Sequence, residues 1–141
     1  MIPIYIATAI CSGTGREGHV ETTDGKLDLD LSAPRELGGS GAGTNPEQLV
    51  ALGYAACFSS ALALTARRRN VDLTSLEVTC QVSLLQAEGD EHYSLAFDIA
   101  ATLAQVPFET ASSLVAEAHT VCAYSKAFTQ GAPALARASA V

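Results

Sequence analysis

The feature that most limits what this chain can fold into is a long run without charge. From Leu49 to Ala66, eighteen residues pass without an acidic or basic side chain, and Cys57 stands inside the run. Its start is chemically marked: Asn45 suits an N-cap, Pro46 the first helical position, and Glu47 the positive end of the helix. Gln48, three residues after Asn45, fits a variant of the capping box. Arg67, Arg68 and Arg69 suit the negative end. A helix apolar on nearly every side belongs in a protein core or in a membrane. Spanning hydrocarbon takes about 20 predominantly apolar residues, and Gly53, Tyr54, Ser59, Ser60 and Thr65 dilute this run. A buried central helix is therefore expected, with no membrane partner.

The flanking sequence alternates as soluble sheets do. Ile2, Ile4, Ile6 and Ile10 share one face of a strand over residues 2–11. SGTGREG (12–18) turns the chain into a second strand, His19 to Thr23, and Asp24-Gly25 turns it again. Leu27, Leu29 and Leu31 then alternate with aspartates in a third strand. The glycine-rich stretch 32–44 leads into the helix as a connector. Its position before a helix suits an anion, but it lacks the Lys-Ser/Thr of a phosphate-binding loop. After the helix, Leu76, Val78, Cys80, Val82 and Leu84 alternate cleanly, and Tyr93, Leu95, Phe97, Ile99 and Leu103 repeat the pattern beyond a turn at 88–91. Pro107 opens a second helix, with Phe108, Ala111, Val115, Ala118 and Cys122 on its apolar face and His119 beside them. The Ala-rich tail, 132–141, is read as an edge strand. The order β-β-β-α-β-β-α-β, with antiparallel sheets around a central helix, is an α+β fold, and 141 residues fit one domain spanning 1–141.

Charge and cysteine usage narrow the function. A net charge of −7 argues against a general nucleic-acid binder, which needs a basic surface. Four cysteines with no CxxC pair and no basic leader point to reduced thiols and a cytoplasmic location. Cys80 fits the inward face of its strand, and Cys11 ends the first strand without neighbours that would activate it. Cys57 and Cys122 lie on apolar helix faces, where burial alone makes a thiol inert. Reactivity there calls for a cation, and Arg16 in its glycine turn and Arg35 in the loop are the candidates. Glu47 is placed either to orient such an arginine through a bidentate contact or simply to complement the helix dipole.

Three blocks carry a family resemblance. PRELGGSGAGTNPEQLVALGYAACF (34–58) resembles the signature of the organic hydroperoxide resistance (Ohr) branch of the Ohr/OsmC superfamily. TGREG (14–18) and AHTVCAYS (118–125) resemble two further blocks of that family, in the expected order. The family usually continues after the second cysteine with proline and an asparagine-containing stretch, whereas this chain has Ala123 and Lys126, and 126–141 lacks the family's strongly alternating last strand. The resemblance implies an OsmC-like fold in an intertwined homodimer, and a thiol peroxidase that reduces alkyl or lipid-like hydroperoxides to alcohols without a bound cofactor or metal. By position, Cys57 is implied as the peroxidatic cysteine, Cys122 as the resolving one, Arg16 as the thiolate's partner, and Glu47 as the group holding Arg16. A dihydrolipoyl-bearing protein or another dithiol is the implied reductant.

Two other readings stand beside this one. The first is an OsmC-type peroxidase of broader substrate range. The second is a non-catalytic metal- or ligand-binding dimer using Cys57, His119 and Cys122, because a His-x-x-Cys spacing puts two ligands on one helix face.

Overall fold

The computed structural model describes residues 1–139, which fall into two compact units, Met1–Val50 and the residues from Ala51 onward. The first unit is built on an antiparallel meander of β1 (Ala9–Ser12), β2 (His19–Thr22) and β3 (Asp28–Asp30). Val20 faces Cys11 on one side and Leu29 on the other. The β2–β3 hairpin closes where expected: Gly25 takes a φ of +73°, and Thr22 and Leu27 are joined by a 2.9 Å backbone bond. The first strand is shorter than its alternation suggests. Residues 1–8 form no strand, and Ile2, Ile4 and Ile6 are exposed, so the pattern there marks an apolar surface rather than a paired strand.

The glycine-rich stretch is a tightly wound segment rather than a loose connector. It makes a 3-10 turn at Arg35–Leu37 and ends it on Gly38, at φ +80°. A side chain at Gly39 would stand 2.0 Å from the Ala33 carbonyl oxygen, and one at Gly43 2.5 Å from that of Asp30. These glycines let two backbone segments touch. The hydroxyl of buried Ser32 accepts the Gly43 N–H, and Thr44 pairs with Leu31 in a parallel bridge.

Helix α1 runs over Pro46–Arg68. Asn45 caps it as expected, its side chain accepting the Gln48 N–H at 2.9 Å. Gln48 does not return the favour. Its side chain takes the Thr44 hydroxyl instead, so the reciprocal half of a capping box is absent. At the far end Asn70 adopts φ +54° and the Val71 N–H reaches back to the Ala66 carbonyl, closing the last turn in the Schellman manner.

In the second unit, β4 (Leu76–Gln86) and β5 (Tyr93–Leu103) form a long antiparallel hairpin, with Cys80 opposite Ile99 and Val82 opposite Phe97. Helix α2 (Phe108–Val121) follows. The core gathers Tyr54, Phe58, Leu62 and Ala66 of α1 with Leu103, Leu114, Ala118 and Cys122, and the inward residues of the hairpin, Cys80 among them, pack against it. One expectation for α2 needs correction. Phe108 points outward, 84% exposed, and Leu114, fully buried, is the anchor of the inner face.

The larger correction concerns the C-terminal segment. Instead of a final strand, Ala123–Gln130 forms a third helix, α3, and residues 131–139 carry no regular element. The end of the expected strand, residues 140–141, lies outside the described residues. The order is thus β-β-β-α-β-β-α-α: α+β with antiparallel sheets, as expected, but with a helix last. Ala123 is the first residue of α3, a position that alanine fills as a strong helix former.

Only one stripe of α1 is buried, although the helix is apolar on most sides and meets the length and composition test for crossing a membrane. Leu62 is fully buried while Leu52 is 69% exposed. Leu62→Ala should therefore lower stability by about 2–5 kcal/mol. Leu52→Ala should stay within about 0.5 kcal/mol. Urea denaturation of both variants in dilute solution, where chains do not associate, measures the difference.

Candidate active site

Within the first unit the structure brings together Arg16 and Glu47. Arg16 sits in a 3-10 turn, Gly15–Glu17, that its glycine neighbours allow: Gly13 and Gly15 both have positive φ, and a side chain at Gly18 would strike the Ser12 carbonyl oxygen. Two parallel bonds of 2.6 Å run from the guanidinium to the Glu47 carboxylate, Nη1 to Oε2 and Nη2 to Oε1. This fork-to-fork geometry fixes the plane of the guanidinium. Of the two candidate arginines, Arg16 is the one Glu47 holds; Arg35 instead points its Nε at the Ser40 carbonyl, 3.4 Å away. The Arg16 hydrogen bond holds the Glu47 carboxyl below its ordinary range, against partial burial.

Within the second unit the structure brings together Cys57 and Cys122. Their sulfurs lie 3.4 Å apart, reduced, one on the middle of α1 and the other at the junction of α2 and α3. Cys122 is 1% exposed, whereas Cys57 is partly open. The two thiols ionise as a pair. Burial pushes the Cys57 thiol up, opposed by the Tyr124 N–H. Burial pushes Cys122 up as well, but the N–H and hydroxyl of Ser125, with Cys57 and the Tyr124 N–H, outweigh it and bring that thiol below its ordinary value. Burial thus works against a Cys57 thiolate, and a reactive Cys57 calls for a cation.

An aromatic cluster forms on the segments flanking the two cysteines and on β5, and sequence reading missed it. Tyr54, one turn before Cys57, packs edge-on to Phe58 and Phe97 and stacks with Tyr124 at 6.0 Å. Phe97 and Phe128 stack at 4.2 Å. Gly53 makes room for this: a side chain there would meet the Tyr124 hydroxyl at 2.8 Å. A glycine inside an otherwise good helix was the visible signal. Ser125, wholly buried, was also missed, and its placement three residues after Cys122 was the clue.

The metal-binding alternative finds a different geometry from the one it needs. His119 turns Nδ1 to the Ser125 hydroxyl, 3.0 Å away. Among the described residues, the ligand cluster that does form is His19, Glu21 and Asp28, on the meander. There both ring nitrogens of His19 already face carboxylates, Asp30 at 2.8 Å and Asp28 at 2.9 Å, which raises its pKa.

The chain is an α+β protein with two reduced cysteines in contact, one partly open and one buried. The family model described as "OsmC-like protein" matches residues 38–135. Organic hydroperoxide resistance protein OhrA of Bacillus subtilis is 44% identical over 130 residues, covering 89% of both chains. An organic hydroperoxide resistance protein from Legionella pneumophila, solved by crystallography, superposes with a TM-score of 0.86 at 45% identity, covering 92% of this chain and 93% of that one. The crystal structure of OhrB of B. subtilis gives 0.81 at 38% identity, covering 91% and 93%. The chain belongs to the OsmC-like family, in its organic hydroperoxide resistance branch.

The Arg16–Glu47 pair has a pH signature. Because the folded Glu47 titrates below its ordinary 4.5, its contribution to stability is complete above that value and is lost as pH falls through the folded pKa. Arg16→Met should flatten this acid limb while leaving stability at neutral pH within about 1 kcal/mol, the pair being partly exposed. Denaturation midpoints followed from neutral pH into acid test it.

Proposed function

We propose that the protein is a cysteine-based peroxidase that reduces organic hydroperoxides to alcohols. The observation that carries this reading is the 3.4 Å contact between one partly open and one buried sulfur. Disulfide formation needs the sulfurs to close to about 2.05 Å, so this pair is poised for it. Relative exposure supports the proposed order. Cys57, the more open sulfur, meets the peroxide, and Cys122, too buried to be reached, resolves the product.

The Cys57 thiolate attacks the distal peroxide oxygen, the O–O bond breaks, and the alkoxide leaves as alcohol after taking a proton. Cys57 is left as a sulfenic acid. Cys122 then displaces hydroxide from that sulfur, forming the Cys57–Cys122 disulfide and protecting Cys57 from irreversible oxidation. Burial alone works against a Cys57 thiolate. Arg16, its plane set by Glu47, is the cation proposed to favour that thiolate and to steady charge on the leaving oxygen. The aromatic side chains on the segments flanking the two cysteines favour alkyl or lipid-like hydroperoxides over hydrogen peroxide. A dihydrolipoyl group on a protein, or another dithiol, returns the disulfide to thiols. We place the protein in the cytoplasm, where such reductants keep thiols reduced.

The whole chain is proposed to act as one domain in a homodimer. Coverage of about nine-tenths of single-protein relatives supports the first point. For the second, Ile2, Ile4, Tyr5 and Ile6 are each more than 70% exposed, a contiguous apolar stretch of the kind that a second copy covers. Ile4→Asp with Ile6→Asp should shift the protein from dimer to monomer in sedimentation; a wild-type monomer at micromolar concentration sinks this part of the reading.

For the chemistry, reduced protein is treated with stoichiometric cumene hydroperoxide and analysed by mass spectrometry. Wild type should lose two hydrogens as the disulfide forms. Cys122→Ser should gain one oxygen and then more with excess peroxide, and Cys57→Ser should consume no peroxide. Arg16→Ala should raise the Cys57 pKa. Peroxide consumption by Cys57→Ser at the wild-type rate overturns the mechanism, and an unchanged thiolate titration in Arg16→Ala hands the cation's role to Arg35.

A further inference from the structure

The separation of the two sulfurs depends on how three helices are placed, because Cys57 belongs to α1 and Cys122 joins α2 to α3. One buried hydroxyl touches all three. The Ser125 oxygen, in the first turn of α3, lies 2.9 Å from the Tyr54 hydroxyl of α1 and 3.0 Å from His119 Nδ1 of α2. The spacing along the chain is regular: Tyr54 precedes Cys57 by three residues, His119 precedes Cys122 by three, and Ser125 follows Cys122 by three. Residues three apart on a helix share a face about one turn from each other. Each member of this tie therefore stands one turn from a cysteine of the pair.

The tie has few substitutes. The backbone bonds of Cys122 run to Ala118 on one side and Lys126 on the other, whereas the His119–Ser125 bond crosses the junction of the two helices. Helix α3 has eight residues, too few to keep its place without tertiary contacts. One hydroxyl serves both partners: its oxygen accepts from Tyr54 while its own proton goes to Nδ1 of a neutral imidazole. Ser125 and Tyr54 are both buried. Deleting the serine hydroxyl takes from the Tyr54 hydroxyl its partner in a place where an unmet polar group is costly.

We propose that Ser125, tied to Tyr54 and His119, is a positioning residue that holds the Cys122 sulfur within closing distance of Cys57. The inference rests on the reading of Cys57 and Cys122 as the pair that peroxide joins. Ser125 makes and breaks no covalent bond. In the step it serves, the Cys122 sulfur bonds to the sulfur of the Cys57 sulfenic acid, whose S–O bond breaks. The hydroxyl leaves as water with the Cys122 thiol proton, so the sulfenic acid is reduced and the Cys122 thiol oxidised. Backbone bonds hold Cys122 on both sides, so a displaced α3 carries the sulfur with it. A misplacement of about 1 Å slows a positioned reaction by up to about a hundredfold.

Two measurements on the full-length protein read this geometry. The first needs no peroxide: reduced protein is equilibrated with mixtures of oxidised and reduced dithiothreitol, and the Cys57–Cys122 disulfide is counted by mass spectrometry. There the protein dithiol becomes a disulfide as the cyclic disulfide of dithiothreitol becomes a dithiol. In the second, one equivalent of cumene hydroperoxide is added, and closure of the sulfenic acid is timed separately from its formation. Ser125→Ala and Tyr54→Phe should each shift the equilibrium at least about tenfold toward the thiols and slow closure by a similar factor. Tyr54→Phe keeps the ring, so it reads the hydrogen bond alone. Adding it to Ser125→Ala should change little further, since both remove one bond. Leu62→Ala, which weakens the same core without touching the tie, should keep the wild-type equilibrium and closure rate. Wild-type values in Ser125→Ala and Tyr54→Phe, or an equal loss in Leu62→Ala, overturn the positioning role. A wild type that closes with dithiothreitol but consumes no peroxide removes the peroxidase reading, and the equilibrium shifts still decide the tie. A wild type that forms no Cys57–Cys122 disulfide under either treatment overturns both.

Discussion

Two sulfur atoms 3.4 Å apart, one buried and one partly open, are the contact on which the second unit depends. Neither helix alone supplies it. Cys57 is placed by the burial of one stripe of α1 under the β4–β5 hairpin and α2, and Cys122 by the end of α2. The aromatic cluster lies on the segments that flank them and on β5. Each aromatic pair contributes about 0.5–1.5 kcal/mol beyond its burial, so Tyr54, Phe97, Tyr124 and Phe128 form a stiff frame. Stiffness suits the proposed reaction, in which a sulfenic acid must be met by its partner before a second peroxide arrives.

The first unit solves a different problem, that of holding one guanidinium still. A turn with positive-φ glycines presents Arg16, and a helix start with its own dipole presents Glu47. The glycine-rich stretch between β3 and α1 packs backbone on backbone and so fixes where that helix begins. A bidentate pair costs side-chain freedom on both partners, which a rigid mounting reduces.

Much of this was legible in the sequence because its signals were local. Period-two alternation gave the β4–β5 hairpin, Asp24-Gly25 gave the turn before β3, and Asn45-Pro46 gave the start of α1. Arg16 and Glu47 were also nameable in advance, though their pairing came from resemblance rather than spacing. What escaped had non-local or ambiguous causes. The isoleucines of residues 2–8 alternate like a paired strand but have no partner strand among the described residues. The segment after Cys122 has few strong helix signals, yet Phe128 packs on Phe97 and Tyr54, contacts that no periodicity announces. Leu114 and Phe108 exchanged places because helix phase was judged from α2 alone, without the hairpin it packs against.

The break between α2 and α3 has a mechanical meaning. Cys122 has an extended backbone, φ −64° and ψ 125°, and ends one helix while beginning the next. A residue inside a helix moves only by dragging its turn along. Cys122 is held on both sides, its N–H on the Ala118 carbonyl and its own carbonyl on the Lys126 N–H. The proposed closure from contact to covalent bond is therefore left to side-chain torsion, with Cys57 in mid-helix as the anvil.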